Sequence, residues 1–123
     1  MASHIDFGKK GEQMSRQFLE SKGYAILKEN WRFQHKEVDL ICKDENTLVF
    51  VEVKTRSGDY FQKPYEAVET KKQKLLIEAA EAFILEFKDF TEIRFDIISI
   101  VQKPNASAEI EHIINAFTPG LEN

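Results

Sequence analysis

Residues 36–55, KEVDLICKDENTLVFVEVKT, decide how this chain folds. Two apolar-rich runs, Glu37–Cys42 and Leu48–Val53, flank a polar break that carries Asp44, Glu45 and Asn46. The runs are rich in Val, Ile, Leu and Phe, as strands are, and the break has a turn composition. The stretch therefore reads as a β-hairpin. Strand side chains alternate between faces, so Glu37, Asp39 and Ile41 should share one face and Val38, Leu40 and Cys42 the other. On the second strand Leu48, Phe50, Glu52 and Lys54 stand against Val49, Val51 and Val53. A tight turn at Glu45–Asn46 would set Asp39 opposite Glu52, Glu37 opposite Lys54 and Ile41 opposite Phe50. One face is then wholly apolar. A slip of one residue would destroy that match, whereas a slip of two would keep the faces.

Like charges directly opposite on a sheet repel, and a carboxylate taken out of water among apolar residues costs several kcal/mol unless compensated. A hard divalent cation held by oxygen ligands would compensate Asp39 and Glu52, and Lys54 would help. This is the sharpest chemical signal in the sequence.

A length of 123 residues predicts a single domain over residues 1–123. No apolar run approaches a membrane span, and the first residues, MASHIDFGKKGE, lack the apolar core of a signal peptide. Both predict a cytoplasmic protein with no membrane partner. The lone cysteine, Cys42, excludes an internal disulfide and falls on an apolar face, where it serves as a small hydrophobe. Three scattered His and one Cys make no zinc site. The net charge of −4 argues mildly against nucleic acid. Its distribution says more. Residues 1–76 hold 14 Lys/Arg against 12 Asp/Glu, and residues 77–123 hold 3 against 9. Metal on the early acids would make the first part effectively basic; without it, the surface is an ordinary mixed-charge one.

Outward from the hairpin, Asp6–Lys22 reads as a helix, with Phe7, Gly11, Met14, Phe18 and Leu19 at helical spacing. Glu12 lies on the flank of that stripe. It is either an exposed glutamate paired with Arg16 at i+4 or a carboxylate partly turned toward the sheet. Tyr24–Arg32 is a strand, and Phe33–Lys36 links it to the hairpin, with Asn30, Arg32, His35 and Lys36 bringing donors and positive charge up to it. Beyond the hairpin, Arg56–Pro64 (RSGDYFQKP) is a loop mixing Arg56 and Lys63 with Tyr60 and Phe61. Such a loop suits nucleic-acid contact, or its aromatics fold back on the core. Pro64–Thr70 reads as a helical turn and Lys71–Lys88 as a second helix, with Leu76, Ala79, Ala80, Phe83, Ile84 and Phe87 buried. Lys71, Lys72 and Lys74 oppose the dipole of that helix, so they are not there for helix stability; a phosphate site is one use for them. Glu92–Gln102 is a strand, Lys103–Glu109 a turn and Ile110–Phe117 a last strand. The order αβββαββ predicts an α/β fold, a mixed sheet packed by two helices.

An acid on one strand and E-x-K on the next, sharing a face, with an upstream helix glutamate, resembles the PD-(D/E)XK nuclease superfamily, the restriction-endonuclease-like fold. More closely the chain resembles the YraN family, itself similar to archaeal Holliday-junction resolvases. The matching stretches are GKKGE (8–12), ENWR (29–32), EVDLI (37–41), LVFVEVKTR (48–56), RFD (94–96) and IINAF (113–117). The resemblance implies that Asp39 and Glu52 bind Mg²⁺ or Mn²⁺, with the Val53 carbonyl as a further ligand. It implies that Lys54 orients water or steadies the phosphorane, that Glu12 is an additional metal or water ligand, and that Glu37 is a supporting residue. The chain departs from the family at Lys36 and Gln62, where glycine is usual; neither touches the implied ligands.

Three functions compete at this point. One is a metal-dependent endonuclease cutting DNA, branched DNA included, for which a homodimer would suit two-strand cutting. The second is a nucleic-acid-binding module that does not cut. The third is a structural protein, which leaves Asp39 opposite Glu52 unexplained. The electrostatics place any nucleic acid around Arg56, Lys71 and Lys72.

Overall fold

The computed structural model describes residues 4–57 and 70–118. Its elements are helix α1 (His4–Ser21), strands β1 (Ala25–Phe33), β2 (Lys36–Asp44) and β3 (Thr47–Ser57), helix α2 (Thr70–Phe83), and strands β4 (Glu92–Gln102) and β5 (Glu109–Phe117). The five strands form one mixed sheet in sequence order. Among the described strands only the β3–β4 pair is parallel, and α2 lies in the connection between them. The architecture is the expected mixed α/β sheet with flanking helices. Residues 58–69, with Tyr60, Phe61, Lys63 and all but Thr70 of the helical turn expected at 64–70, lie outside the described residues.

The hairpin has the expected tight turn. Asp44 pairs with Thr47 and Ile41 with Phe50, and Glu45 takes the left-handed conformation (φ 55°) that a two-residue turn requires. Two apolar layers cover the sheet. On the α2 side, Ile41, Leu48, Phe50, Phe95 and Ile97 pack against Leu76, Ala79, Ala80 and Phe83. On the α1 side, Leu40, Cys42, Val49, Val51, Ile98 and Ile100 pack against Leu19 and Tyr24. Cys42 is fully buried, as its strand position implied.

The alternation of faces fails at one place. Val38 belongs to the α2 side with Ile41, not to the side of Leu40 and Cys42. Opposite this point on β1, between the pairs Glu29–Leu40 and Trp31–Val38, stands Asn30 with φ 51°. A left-handed residue inside a strand turns the chain over. Both strands turn together: Glu29 reaches Arg16 of α1, while Trp31 packs on Phe83 of α2. Glu37 and Ile41 therefore lie on opposite faces, and the shared face expected for Glu37, Asp39 and Ile41 is corrected.

Helix α2 ends at Phe83 rather than Lys88. The chain continues in turns that stack Phe87 on Phe83 and leave Leu85 72% exposed. Helix α1 approaches β3 closely at Gly11, where a Cβ would overlap Thr55 Cγ2. Gly11→Ala should cost about 1–3 kcal/mol by overpacking. Chemical denaturation should show Thr55→Ser, which deletes that methyl, recovering at least half of the loss in the double variant.

Candidate metal centre

The centre is a fork in the sheet. The β2–β3 ladder ends at the Leu40–Val51 pair, whereas β3 stays paired with β4 as far as Ser57. At the crotch, Val53 N donates to Asp39 Oδ2 at 2.8 Å, so a side-chain carboxylate replaces the backbone acceptor of a regular ladder. The N–H and C=O of one strand residue point the same way, so the Val53 carbonyl also opens into the fork. Glu52 is 4% exposed. Its Oε2 takes Lys72 Nζ from α2 and lies 3.5 Å from Lys54 Nζ, while its Oε1 is buried without a hydrogen-bond partner.

Across the fork, single carboxylate oxygens of Glu12, Glu37 and Asp39 lie within 4.8 Å of one another. The turnover of β1 and β2 at Asn30 and Asp39 explains this grouping, because it carries Glu37 to the α1 side. Glu37 leans toward Arg32 (3.7 Å) and not toward Lys54, correcting the expected cross-strand pair. Glu12 does not pair with Arg16, which is taken by Glu20 and Glu29. With its amide nitrogen turned to Glu12, Asn30 donates to Oε1 at 3.1 Å and Oε2 at 3.2 Å. An open polar groove runs along α1 past Lys9, Glu12 and Arg16, with Glu29 and Asn30 on its other wall.

The charges are mutually unfavourable. Burial, and then the charge of Glu52, pushes Asp39 up to about 7, despite the Val53 N–H. Burial raises Glu12 as well; Asn30 opposes the rise, and Glu37, Glu29 and Glu52 add to it. Among the lysines, burial and then Lys72 hold Lys54 and Lys36 below their usual value. Burial disfavours the Lys72 ammonium too, but Glu52 outweighs it and the net shift is upward.

Of the residues singled out for nucleic acid, Arg56 is half-buried with Nη1 donating to the Thr55 carbonyl (3.4 Å), and Lys71 is exposed at the start of α2. Lys72 instead turns inward onto Glu52. The sequence placed Asn30 and Lys36 just before the site as donor and positive charge, without a role in it. The available signals were the Asn within an otherwise regular strand and the Lys in place of glycine at 36.

A second polar group lies on the α1 side at β4. Asp96 accepts Arg94 Nε (2.9 Å) and Nη2 (2.9 Å), His112 Nε2 (2.7 Å) and Asn115 N (3.0 Å). Lys22 Nζ lies 2.8 Å from His112 Nδ1. A lysine ammonium only donates, so His112 carries its proton on Nε2 and gives it to Asp96. Every partner is satisfied, as in a structural network.

Comparison with known proteins gives the family. Residues 11–100 match the profile of "Uncharacterised protein family UPF0102". A UPF0102 protein of Flavobacterium psychrophilum is 47% identical over 117 residues, covering 95% of this chain and 98% of the relative. One from Bacteroides thetaiotaomicron is 44% identical over 121 residues (98% and 99%), and one from Natranaerobius thermophilus 46% over 113 (89% and 95%). Among the described residues no helix is long and apolar enough to cross a membrane. The forked sheet, with Glu12, Glu37 and Asp39 grouped on one side and Glu52 held by lysines on the other, is thus the candidate site of a chain that belongs to the UPF0102 family.

Proposed function

We propose that this chain is a divalent-metal-dependent endonuclease of the PD-(D/E)XK superfamily, hydrolysing phosphodiester bonds in DNA, with branched DNA among its substrates. The observation that carries this reading is Glu52 Oε1, a buried carboxylate oxygen without a partner, beside an Asp39 whose ionisation is suppressed. Buried acceptors are almost always satisfied in native proteins. An all-oxygen set of carboxylates and a strand carbonyl fits a hard cation such as Mg²⁺ or Mn²⁺. Asp39, Glu52, the Val53 carbonyl and Glu12 would hold it; Glu37 adds an oxygen within 4.8 Å of those of Glu12 and Asp39, a group that does not include Glu52. When bound, the cation would polarise the phosphate and acidify a water.

The chain's own groups supply the rest. Lys54 Nζ stands beside Glu52, so a phosphate brought to that carboxylate meets an ammonium opposing the charge that develops during in-line attack. Burial raises the Glu12 carboxyl above its usual range, which favours its taking a proton from water, and Asn30 fixes its orientation. One sugar oxygen leaves phosphorus as the water oxygen bonds to it.

The test is a cleavage panel of four-way junctions, flaps and linear duplexes with Mn²⁺. Cutting is expected only with metal, and Lys54→Ala should slow it about 10²–10³-fold while metal binding persists. DNA bound tightly by wild type but left whole on every substrate would instead identify a non-catalytic binding module.

A further inference from the structure

Three lysines converge on one carboxylate. Lys72 contacts Glu52 Oε2, Lys54 lies 3.5 Å from the same oxygen, and Lys36 stands close enough for its charge to act on Lys72, Glu52 and Asp39. They come from three different elements: α2, β3 and the start of β2. Lys72 and Lys54 already neutralise Glu52 on this side of the fork. A divalent cation at Glu52 would add two charges and would compete directly with Lys72 for Oε2. An ammonium and a metal ion cannot both take that oxygen at contact distance without strong repulsion. Lys72 is a long side chain in the first turn of α2, 32% exposed, so it can leave. A phosphate removes the conflict, because it brings negative charge to the lysines at the place the metal makes positive.

We propose that Lys72 is an exchangeable cation: it occupies Glu52 in the free protein and moves to a substrate phosphate when divalent metal enters, so that metal and DNA bind cooperatively. This deepens the nuclease reading and rests on its metal site. The competing role is a fixed ion pair that anchors α2 to β3. The two differ in what removal of the lysine does. Loss of an anchor loosens the site and leaves metal binding unchanged or weaker. Loss of a competitor strengthens metal binding.

The experiment is calorimetric titration of Mn²⁺ into the DNA-free protein, together with fluorescence anisotropy of a labelled duplex with and without Ca²⁺. Lys72→Met should bind Mn²⁺ about tenfold more tightly than wild type, within the usual range of coupling between sites. Lys74→Met removes an equal charge from the exposed face of the same helix and should change Mn²⁺ affinity less than about twofold. Ca²⁺ should tighten duplex binding by wild type, and the tightening should be at least about fivefold smaller in Lys72→Met. If wild type binds Mn²⁺ and Lys72→Met binds it no more tightly, the exchange is wrong and the metal site stands. Equal strengthening by Lys74→Met reduces the effect to net charge and also overturns the exchange. If neither wild type nor Lys72→Met binds Mn²⁺, the metal site itself falls, and the exchange with it.

Discussion

Asp39→Asn should make the metal-free protein more stable at pH 8 and abolish its response to divalent metal. The carboxyl of Asp39 sits at about 7, against 3.8 for the ordinary group, because of burial and the charge of Glu52, with Glu12 adding to the rise and the Val53 N–H and Lys72 opposing it. A folded-state pKa above the unfolded one means that the native protein holds this proton more tightly. The contribution to stability is then full below about pH 4, falls as pH rises toward 7, and is flat above that. Ionising Asp39 in the fold should cost the metal-free wild type roughly 2–4 kcal/mol between pH 4 and pH 8. Asparagine keeps an oxygen for the Val53 N–H and carries no charge, so the variant lacks this decline. The quantity to measure is the difference in melting temperature between variant and wild type across that range, which cancels the other titrating groups. At pH 8 it should favour the variant by several degrees. Metal should reverse the ranking. Millimolar Mn²⁺ at 100 times its Kd stabilises the protein that binds it by about 2.7 kcal/mol, and Asp39→Asn should show no such gain. An equal metal-induced rise in both proteins would remove Asp39 from the site.

The sequence pattern reached the hairpin, its turn and the Ile41–Phe50 register because strict alternation of apolar residues tolerates no slip of one. It missed the place where alternation itself stops. Nothing in the letters of residues 29–39 shows that Asn30 adopts φ 51°, or that Asp39 takes a backbone N–H that a ladder partner would otherwise accept. Both depend on how the third strand is laid against the second. For the same reason Glu37 was set across from Lys54 but stands with Glu12 and Asp39. Lys72 was legible as a cation ill-suited to its helix end. Its partner lies 20 residues back along the chain, so only the packing of α2 on β3 could reveal Glu52. The acid pair Asp39 and Glu52 was visible because its oddity is local: two carboxylates within apolar strands that face each other in the simplest register.

The largest stability loss should come from Asp96, well removed from the proposed chemistry. Its side chain is fully buried. Burial alone would raise its pKa, but His112, Arg94 and the Asn115 N–H outweigh that and hold it below the usual carboxylate range. Arg94 is correspondingly raised, first by its bonds to Asp96, and also reaches the Tyr24 hydroxyl at 2.7 Å. Through Arg94 the carboxylate ties Tyr24, after α1, to the β4–β5 pair at its register shift between Phe95 and Ile97. Asp96→Ala leaves a part-buried guanidinium without its main partner and strands the His112 Nε2–H and the Asn115 N–H. Breaking one side of such a pair costs about 3–5 kcal/mol, a drop in melting temperature on the order of 10–20 °C at this chain length. Asp96→Asn keeps one of the two acceptor oxygens and should lose less. Metal affinity, measured below the lowered melting point, should stay at the wild-type value, because none of the acids at the fork touches this network. A loss of metal affinity in Asp96→Asn without a matching loss of stability would mean that the two polar groups act as one site.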